Sequence, residues 1–372
     1  MRKQSGFSLV ELMIALVIGL IVVGGLVSVL MASRQAFTLQ QSNNFNQENI
    51  RFASARLSWS LRMADFWGGT KPDKITALTD TAGIGGDGDC NGAFVMSVGP
   101  GAMQNGVYGY DGGEDFPIKD CVDPANYVKG SDVLVVRYAD VIGYDPDKGP
   151  DTQDFNGDAS AVPNTTSVFL VAGLGQQAAL FRKDAAVPAA PLSVTSGRYV
   201  YPYQFEMYYL RPCADLGGAD KCSATSDGGA PSPSLVRMRM DATGKLVSEV
   251  VVDGIEQLSF EYASRVDNGA NPPGQTAFGP AATTDWQNVT QVRTTFVARA
   301  ASRDMSIKHS GEFDLTGHCA YKIDDTGAVS YPDTAVTNGC SKALSGAYGD
   351  QPQQYARILS QQVVLLRNRV RG

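Results

Sequence analysis

The hydrophobic pattern of the chain changes twice along its length. From Leu12 to Met31 every position is apolar except Ser28. Twenty helical residues rise ~30 Å, enough to cross the hydrocarbon core of a bilayer. From Ala32 to Phe66 there is no Pro and no Gly, and Phe45, Phe52, Arg56, Trp59 and Met63 follow one another at spacings of seven, four, three and four. This spacing predicts an amphipathic helix that turns that stripe toward its own domain. The two stretches read as one helix from Phe7 to about Phe66, ~90 Å long, stopped by Gly68-Gly69.

Beyond Gly69 the pattern becomes short apolar runs between clusters of Gly, Asp, Asn and Pro. Strands are predicted over 132–139, 167–172, 178–183, 199–210, 234–241, 246–252, 255–263, 290–299 and 355–370. Several alternate with period two. Leu258, Phe260 and Tyr262 share one face, with Gln257, Ser259 and Glu261 on the other; Val292, Thr294, Phe296 and Ala298 oppose Arg293, Thr295, Val297 and Arg299. These read as half-buried antiparallel strands. Residues 70–130 and 264–290 read as insertions or long loops. A long helix followed by a run of strands is an α+β arrangement.

Composition narrows the function. The chain has 372 residues, 43% hydrophobic and 19% charged, so it folds. A net charge of −7 argues against a broad basic surface, and no nucleic-acid binding is expected. His309 and His318 are the only histidines, which leaves little material for metal ligation or proton transfer. Arg2 and Lys3 hold the short N-terminal end on the cytoplasmic side, so everything after about residue 34 is expected outside the cytoplasm. A cleaved secretory signal needs a shorter apolar region and a small-x-small site, of which Ala32-Ser33 is a poor version.

One carboxylate stands out. Glu11 lies at the edge of the apolar run, where a charge is costly and points to function. Together with the basic segment MRKQSG, the run Gly6-Phe7-Ser8-Leu9-Val10-Glu11 resembles the prepilin peptidase site of type IV pilins and type II secretion pseudopilins. The resemblance implies cleavage between Gly6 and Phe7, N-methylation of Phe7 and retention of the apolar helix. It also implies that Glu11 neutralises the Phe7 amine of a neighbouring subunit during assembly, since a buried charge without a partner is expensive. Many type IV pilins carry a proline in the membrane half of this helix; here Gly24-Gly25 stands there, easing local melting or allowing close helix packing.

The segments DVLVVRYA, LVSEVVVDGIEQLSFEY and VVLLRNRV are similar in kind and order to stretches of PilW-type minor pilins. The large domain, too, fits a low-copy subunit. The resemblance implies a type IV pilin-like fold: a leader at 1–6, a transmembrane and filament-core half-helix at 7–33, an amphipathic half at 34–67 and a periplasmic β-rich domain at 68–372. It implies a minor pilin that primes pilus assembly and joins the tip complex, moving from the inner membrane to the cell surface. The implied partners are other minor pilins and the major pilin through the helix, a PilY-type tip adhesin, the prepilin peptidase and the inner membrane. No cofactor and no enzymatic activity are expected. The rival readings are a minor pseudopilin of type II secretion and, from another class, a membrane-anchored periplasmic enzyme or calcium-dependent sensor.

Six cysteines, Cys90, Cys121, Cys213, Cys222, Cys319 and Cys340, all follow the apolar helix, on the oxidising side. An even number there reads as disulfides; of fifteen pairings, proximity favours 90–121, 213–222 and 319–340. No C-x-x-C spacing supports a metal site. Asp87, Asp89 and Asn91 resemble the first half of a calcium loop, but its twelfth position is Val98 rather than Glu. Asp151, Asp154, Asn156 and Asp158 form a second acidic loop. Solvated turns are the simpler account of both. Gly83-x-Gly85-x-x-Gly88 lacks the strand-turn-helix context of a nucleotide site.

Overall fold

The computed structural model describes residues 8–98, 106–146, 166–173, 177–183, 185, 187–188, 197–267, 269, 274–301, 303–304, 308–315, 320–330 and 351–370. Helix α1 spans Leu9–Met63. After it come β1 (Ile75–Thr76), the short α2 (Gly92–Val95), β2 (Val107–Tyr110), β3 (Val133–Ala139), β4 (Val168–Gly173), β5 (Ala178–Arg182) and β6 (Arg198–Arg211). The second half holds β7 (Ser234–Met240), β8 (Leu246–Asp253), β9 (Ile255–Val266), β10 (Gly274–Gln275), β11 (Val289–Arg299), β12 (Gly311–Asp314), β13 (Ala320–Ile323), β14 (Val329–Ser330), β15 (Arg357–Leu365) and α3 (Arg367–Val370). The predicted strands are present, except that 355–370 is strand only over Arg357–Leu365 and ends in the helix α3. The layout is α+β, with a sheet region that is antiparallel apart from the pairing of β1 with β5.

Three sheets form. The largest runs β1-β5-β4-β6-β3-β2, with β7 paired to β6 and β8 to β7. The second runs β10-β9-β11-β15 and the third β12-β13-β14. The C-terminal part of α1 closes a core between the first two sheets. Ile50, Ala53, Leu57 and Leu61 of the helix meet Tyr138 and Leu235 of the first sheet and Phe260 and Phe296 of the second.

The helix packs a different face from the one expected. Its buried positions are Asn46, Asn49, Ile50, Ala53, Leu57, Ser60 and Leu61. Phe45, Phe52 and Trp59 of the expected stripe are exposed, while Arg56 and Met63 are half-buried. The reason is clearance. Ala53 and Ser60 let the helix axis approach two sheets at once, and the bulky rings are left on the flank. There Trp59 meets Tyr138 edge-on at 5.6 Å, beneath the Arg56 guanidinium.

The helix also ends sooner than the glycines suggest. It stops at Met63, and Asp65 takes a left-handed backbone (φ 59°), which a short polar side chain tolerates better than a bulky one. This reversal sends Trp67 into a second core, on the far face of the first sheet.

That second core gives the insertions or long loops expected over 70–130 a packing role. Ile75, Ile84, Val95, Phe116, Ile118 and Tyr127 cover Val133, Val135, Tyr203, Phe205 and Met207. Strand β3 is buried at all its positions, so its sheet needs a cover on both faces. The expectation of half-buried strands fails at β9 and β11 as well. Gln257, Ser259 and Glu261 are buried on the face opposite Phe260. Val297 packs under Leu315, just after β12, and under Tyr321 and Ile323 of β13. Within 264–290, β9 continues to Val266 and β10 pairs back onto it.

Candidate assembly surface

Ser8 opens α1. Its hydroxyl accepts a hydrogen bond from the Val10 N–H at 3.3 Å, and its own backbone N–H donates to Glu11 Oε2 at 3.1 Å. Ser8 and Glu11 close a capping box, which satisfies N–H groups that every helix start leaves open. The sequence marks Glu11 by its charge and by its place in the processing motif; the Ser-x-x-Glu spacing is the legible signal of this second role. The carboxylate keeps further acceptor capacity for a cation from another chain. Gly6 and Phe7 lie outside the described residues.

From Ser8 to Thr38 every residue is exposed. None of the apolar window of α1 is buried within the chain, and that window is long and apolar enough to cross a membrane. The domain gives this half of the helix no cover, so its apolar side chains need lipid or other protein around them.

A charge cluster around the buried Glu206 registers the other half on the first sheet. The Arg56 guanidinium pairs with Glu206 and donates to the Tyr208 phenol oxygen at 3.2 Å. Ser60 Oγ donates to Glu206 Oε2 at 2.5 Å, and Arg237 Nη1 donates to Glu206 Oε1 at 2.8 Å. Arg237 also pairs with Glu249, which Arg239 reaches at 3.0 Å. Burial works to discharge Arg56, but Tyr208 and Glu206 outweigh it and its pKa rises, so it stays a cation. Burial pushes the Tyr208 phenol well above its ordinary value, with the Glu206 charge adding to the effect, so the phenol keeps its proton.

At the helix end, Asp65 pairs with Arg369, accepts the Gly106 N–H at 2.8 Å and accepts the Trp67 indole N–H at 3.3 Å. Asn368 Nδ2 donates to the Ala64 carbonyl at 2.9 Å. The chain's last described turn therefore caps its first helix. A cleft of about 350 Å³ lies here, lined by Asp65, Lys71, Arg265, Asn288 and Arg369 among others. Its carboxylates are held in ion pairs, Asp65 with Arg369 and Asp267 with Arg265.

The other candidates from the sequence are distributed over the domain. Cys90 bonds to Cys121 and Cys213 to Cys222, with Cα atoms 5.1 and 5.7 Å apart. Cys319 and Cys340 lie outside the described residues, as do His318 and the acidic loop at 151–158. Asn91 Oδ1 accepts the Ala93 and Phe94 N–H groups and caps α2. The Asp87 carbonyl accepts the Cys90 N–H, and the Asp89 N–H donates to the Lys119 carbonyl. The loop of Asp87, Asp89 and Asn91 is thus tied down by its own backbone and by the Cys90–Cys121 bond. Among the described residues no three His, Cys, Asp or Glu side chains converge as metal ligands. Gly83, Gly85 and Gly88 all have positive φ and belong to the same turn-rich stretch.

Two family models match the chain. The model for type IV pilus-assembly protein W matches residues 222–368, from the loop before β7 into α3. The model for the prokaryotic N-terminal methylation motif matches residues 1–27. No curated protein and no solved structure matches the chain.

Proposed function

We propose that the chain is a PilW-type minor pilin, as its matches to the models for type IV pilus-assembly protein W and for the N-terminal methylation motif support, and that it primes pilus assembly and takes a place in the tip complex. The observation that carries this reading is the exposed apolar half of α1, with Glu11 in its first turn. In the membrane that half is solvated by lipid. In a filament it is solvated by the helices of other subunits. The prepilin peptidase cuts between Gly6 and Phe7, the Phe7 amine is methylated, and the helix from residue 7 to about residue 33 stays in the inner membrane until extraction. Residues 34–67 dock on the periplasmic domain, which occupies 68–372. Six cysteines after the apolar helix fit that oxidising compartment.

Glu11 has a stated part. In the lone subunit its carboxylate closes the capping box with Ser8. In the filament its remaining acceptor capacity takes the cationic Phe7 amine of a neighbour. Other minor pilins and the major pilin are the partners of the helix, and a PilY-type adhesin is the partner at the tip. The role is structural: the chain supplies binding surfaces.

Substitution at the processing site tests the reading. Gly6→Val leaves the uncleaved precursor in the membrane and lowers piliation, seen as a slower-migrating band on an immunoblot and fewer sheared pili. Normal processing of that variant would exclude a peptidase site at Gly6. Glu11→Ala is cleaved normally but enters pili poorly; full incorporation of that variant would remove the charge-pairing account.

A further inference from the structure

We propose that the cleft at the C-terminal end of α1 is a receptor for a carboxylate side chain, an Asp or Glu on a peptide segment of another protein. The ligand chemistry follows from the charges and donors that line the cleft. Only the origin of the partner rests on reading the chain as a pilus subunit.

The floor of the cleft is already neutral. The Asp65 carboxylate and the Arg369 guanidinium are buried and paired, and Arg369 Nη1 donates to the Trp286 carbonyl at 2.5 Å. At the rim, Arg265 Nε donates to Asp267 Oδ1 at 2.9 Å. Lys71 has no such partner. It lines the same cleft, it is exposed, and among the described residues its ammonium makes no hydrogen bond or ion pair. The Gln287 side chain, also in the lining, is equally uncommitted. Only its backbone N–H is used, donating to Asp285 Oδ1 at 3.2 Å. An unpaired cation and an unpaired amide thus line a space of about 350 Å³, which is the small end of ligand-sized clefts. A carboxylate oxygen accepts from both kinds of donor.

The surroundings extend the same sign. Asn368 of the lining donates to the Arg62 carbonyl at 3.2 Å, and Arg367 precedes it in α3. Neither Arg62 nor Arg367 has an ion-pair partner among the described residues. Next to Lys71, Asp73 and Lys74 offset one another, and Asp285 accepts the Asn288 amide at 2.9 Å. Cations therefore outnumber carboxylates at this end of a chain whose net charge is −7, and the local field draws an anion. The two lining carboxylates limit how much negative charge that anion can carry. A monoanionic carboxylate suits the balance better than a phosphate dianion or a nucleic-acid backbone, which the acidic remainder of the chain also repels.

Position separates a protein ligand from a lipid one. A basic patch close to a bilayer is drawn to anionic headgroups. Here the apolar run of α1 ends at Met31 and the helix continues to Met63, so the cleft lies ~50 Å farther along the helix axis. Attraction between exposed charges fades within about 8 Å at physiological salt. The cleft is therefore out of reach of the headgroups, and the carboxylate it takes comes from a pilus protein that lies beyond this domain.

The test uses the full-length chain in its own host, replacing the native copy. A water-soluble carbodiimide joins an amine to a carboxylate in contact with it as an amide, with loss of water. Piliated cells are treated, the chain is isolated and its lysine adducts are mapped by mass spectrometry. The expected product is an amide from Lys71 to an Asp or Glu side chain of a different pilus protein, in about tenfold excess over any adduct of the neighbouring Lys74. Lys71→Arg, which keeps the charge but does not couple, should leave piliation at the parent level. Lys71→Glu should lower it about fivefold or more, with processing and the Cys90–Cys121 and Cys213–Cys222 bonds intact. Adducts of Lys71 only with the chain's own carboxylates or with a uronic acid, equal coupling at Lys74, no adduct at all, or parent-level piliation with Lys71→Glu would each overturn the proposal. Normal piliation after deletion of the whole gene would instead remove the assembly role itself.

Discussion

At the scale of single residues, charge placement carries most of the information. Glu256 and Arg357 are both fully buried and bond twice, at 2.8 and 3.1 Å. Removing one member leaves a charge without compensation inside the protein, so Glu256→Gln is expected to cost about 3–5 kcal/mol in denaturant unfolding of the solubilised full chain. Replacing both by apolar residues of similar volume should recover much of that loss. His309 links stability to pH. Burial lowers its pKa below the ordinary value, with Asp304 opposing. A histidine lowered on folding is protonated first in the unfolded chain, so its contribution is present above about pH 6.5 and declines as pH falls below that. Stability measured across pH 7 to 5 should show this decline, and His309→Gln should reduce it.

At the scale of elements, α1 divides its side chains by size. The small and branched residues pack, and the aromatic ones ride on the flank. Leu57→Ala opens a cavity at a fully buried position and should cost about 2–5 kcal/mol. Phe52→Ala, on the exposed flank, should change unfolding by only about 0.5 kcal/mol. Equal losses from the two variants would mean that the helix docks on its aromatic face after all. Hydrophobic spacing showed that this helix exists and roughly where it ends, but it ranked the stripes by apolar bulk. The buried stripe holds Asn46, Asn49 and Ser60, which no apolar count selects. Asn46 and Asn49 are buried because they bond to the carbonyls of Ala356 and Asp253, residues remote in sequence.

At the scale of the whole molecule, two cores share one sheet, and the Cys90–Cys121 bond belongs to the outer one. Cys90–Cys121 closes a loop with a sequence separation of 31, against 9 for Cys213–Cys222. The longer loop belongs to the segment that roofs the second core. Replacing Cys90 and Cys121 by serine should cost about 2–4 kcal/mol, and more than replacing Cys213 and Cys222, in the same unfolding assay. The sequence by itself determined the apolar helix, its carboxylate at Glu11 and the strand periods, because each depends on residues close together in the chain. Only the tertiary structure decided which face of α1 packs and that described segments between 70 and 130 cover the far face of the first sheet. Those outcomes depend on backbone approach and strand order, and local patterning does not carry either.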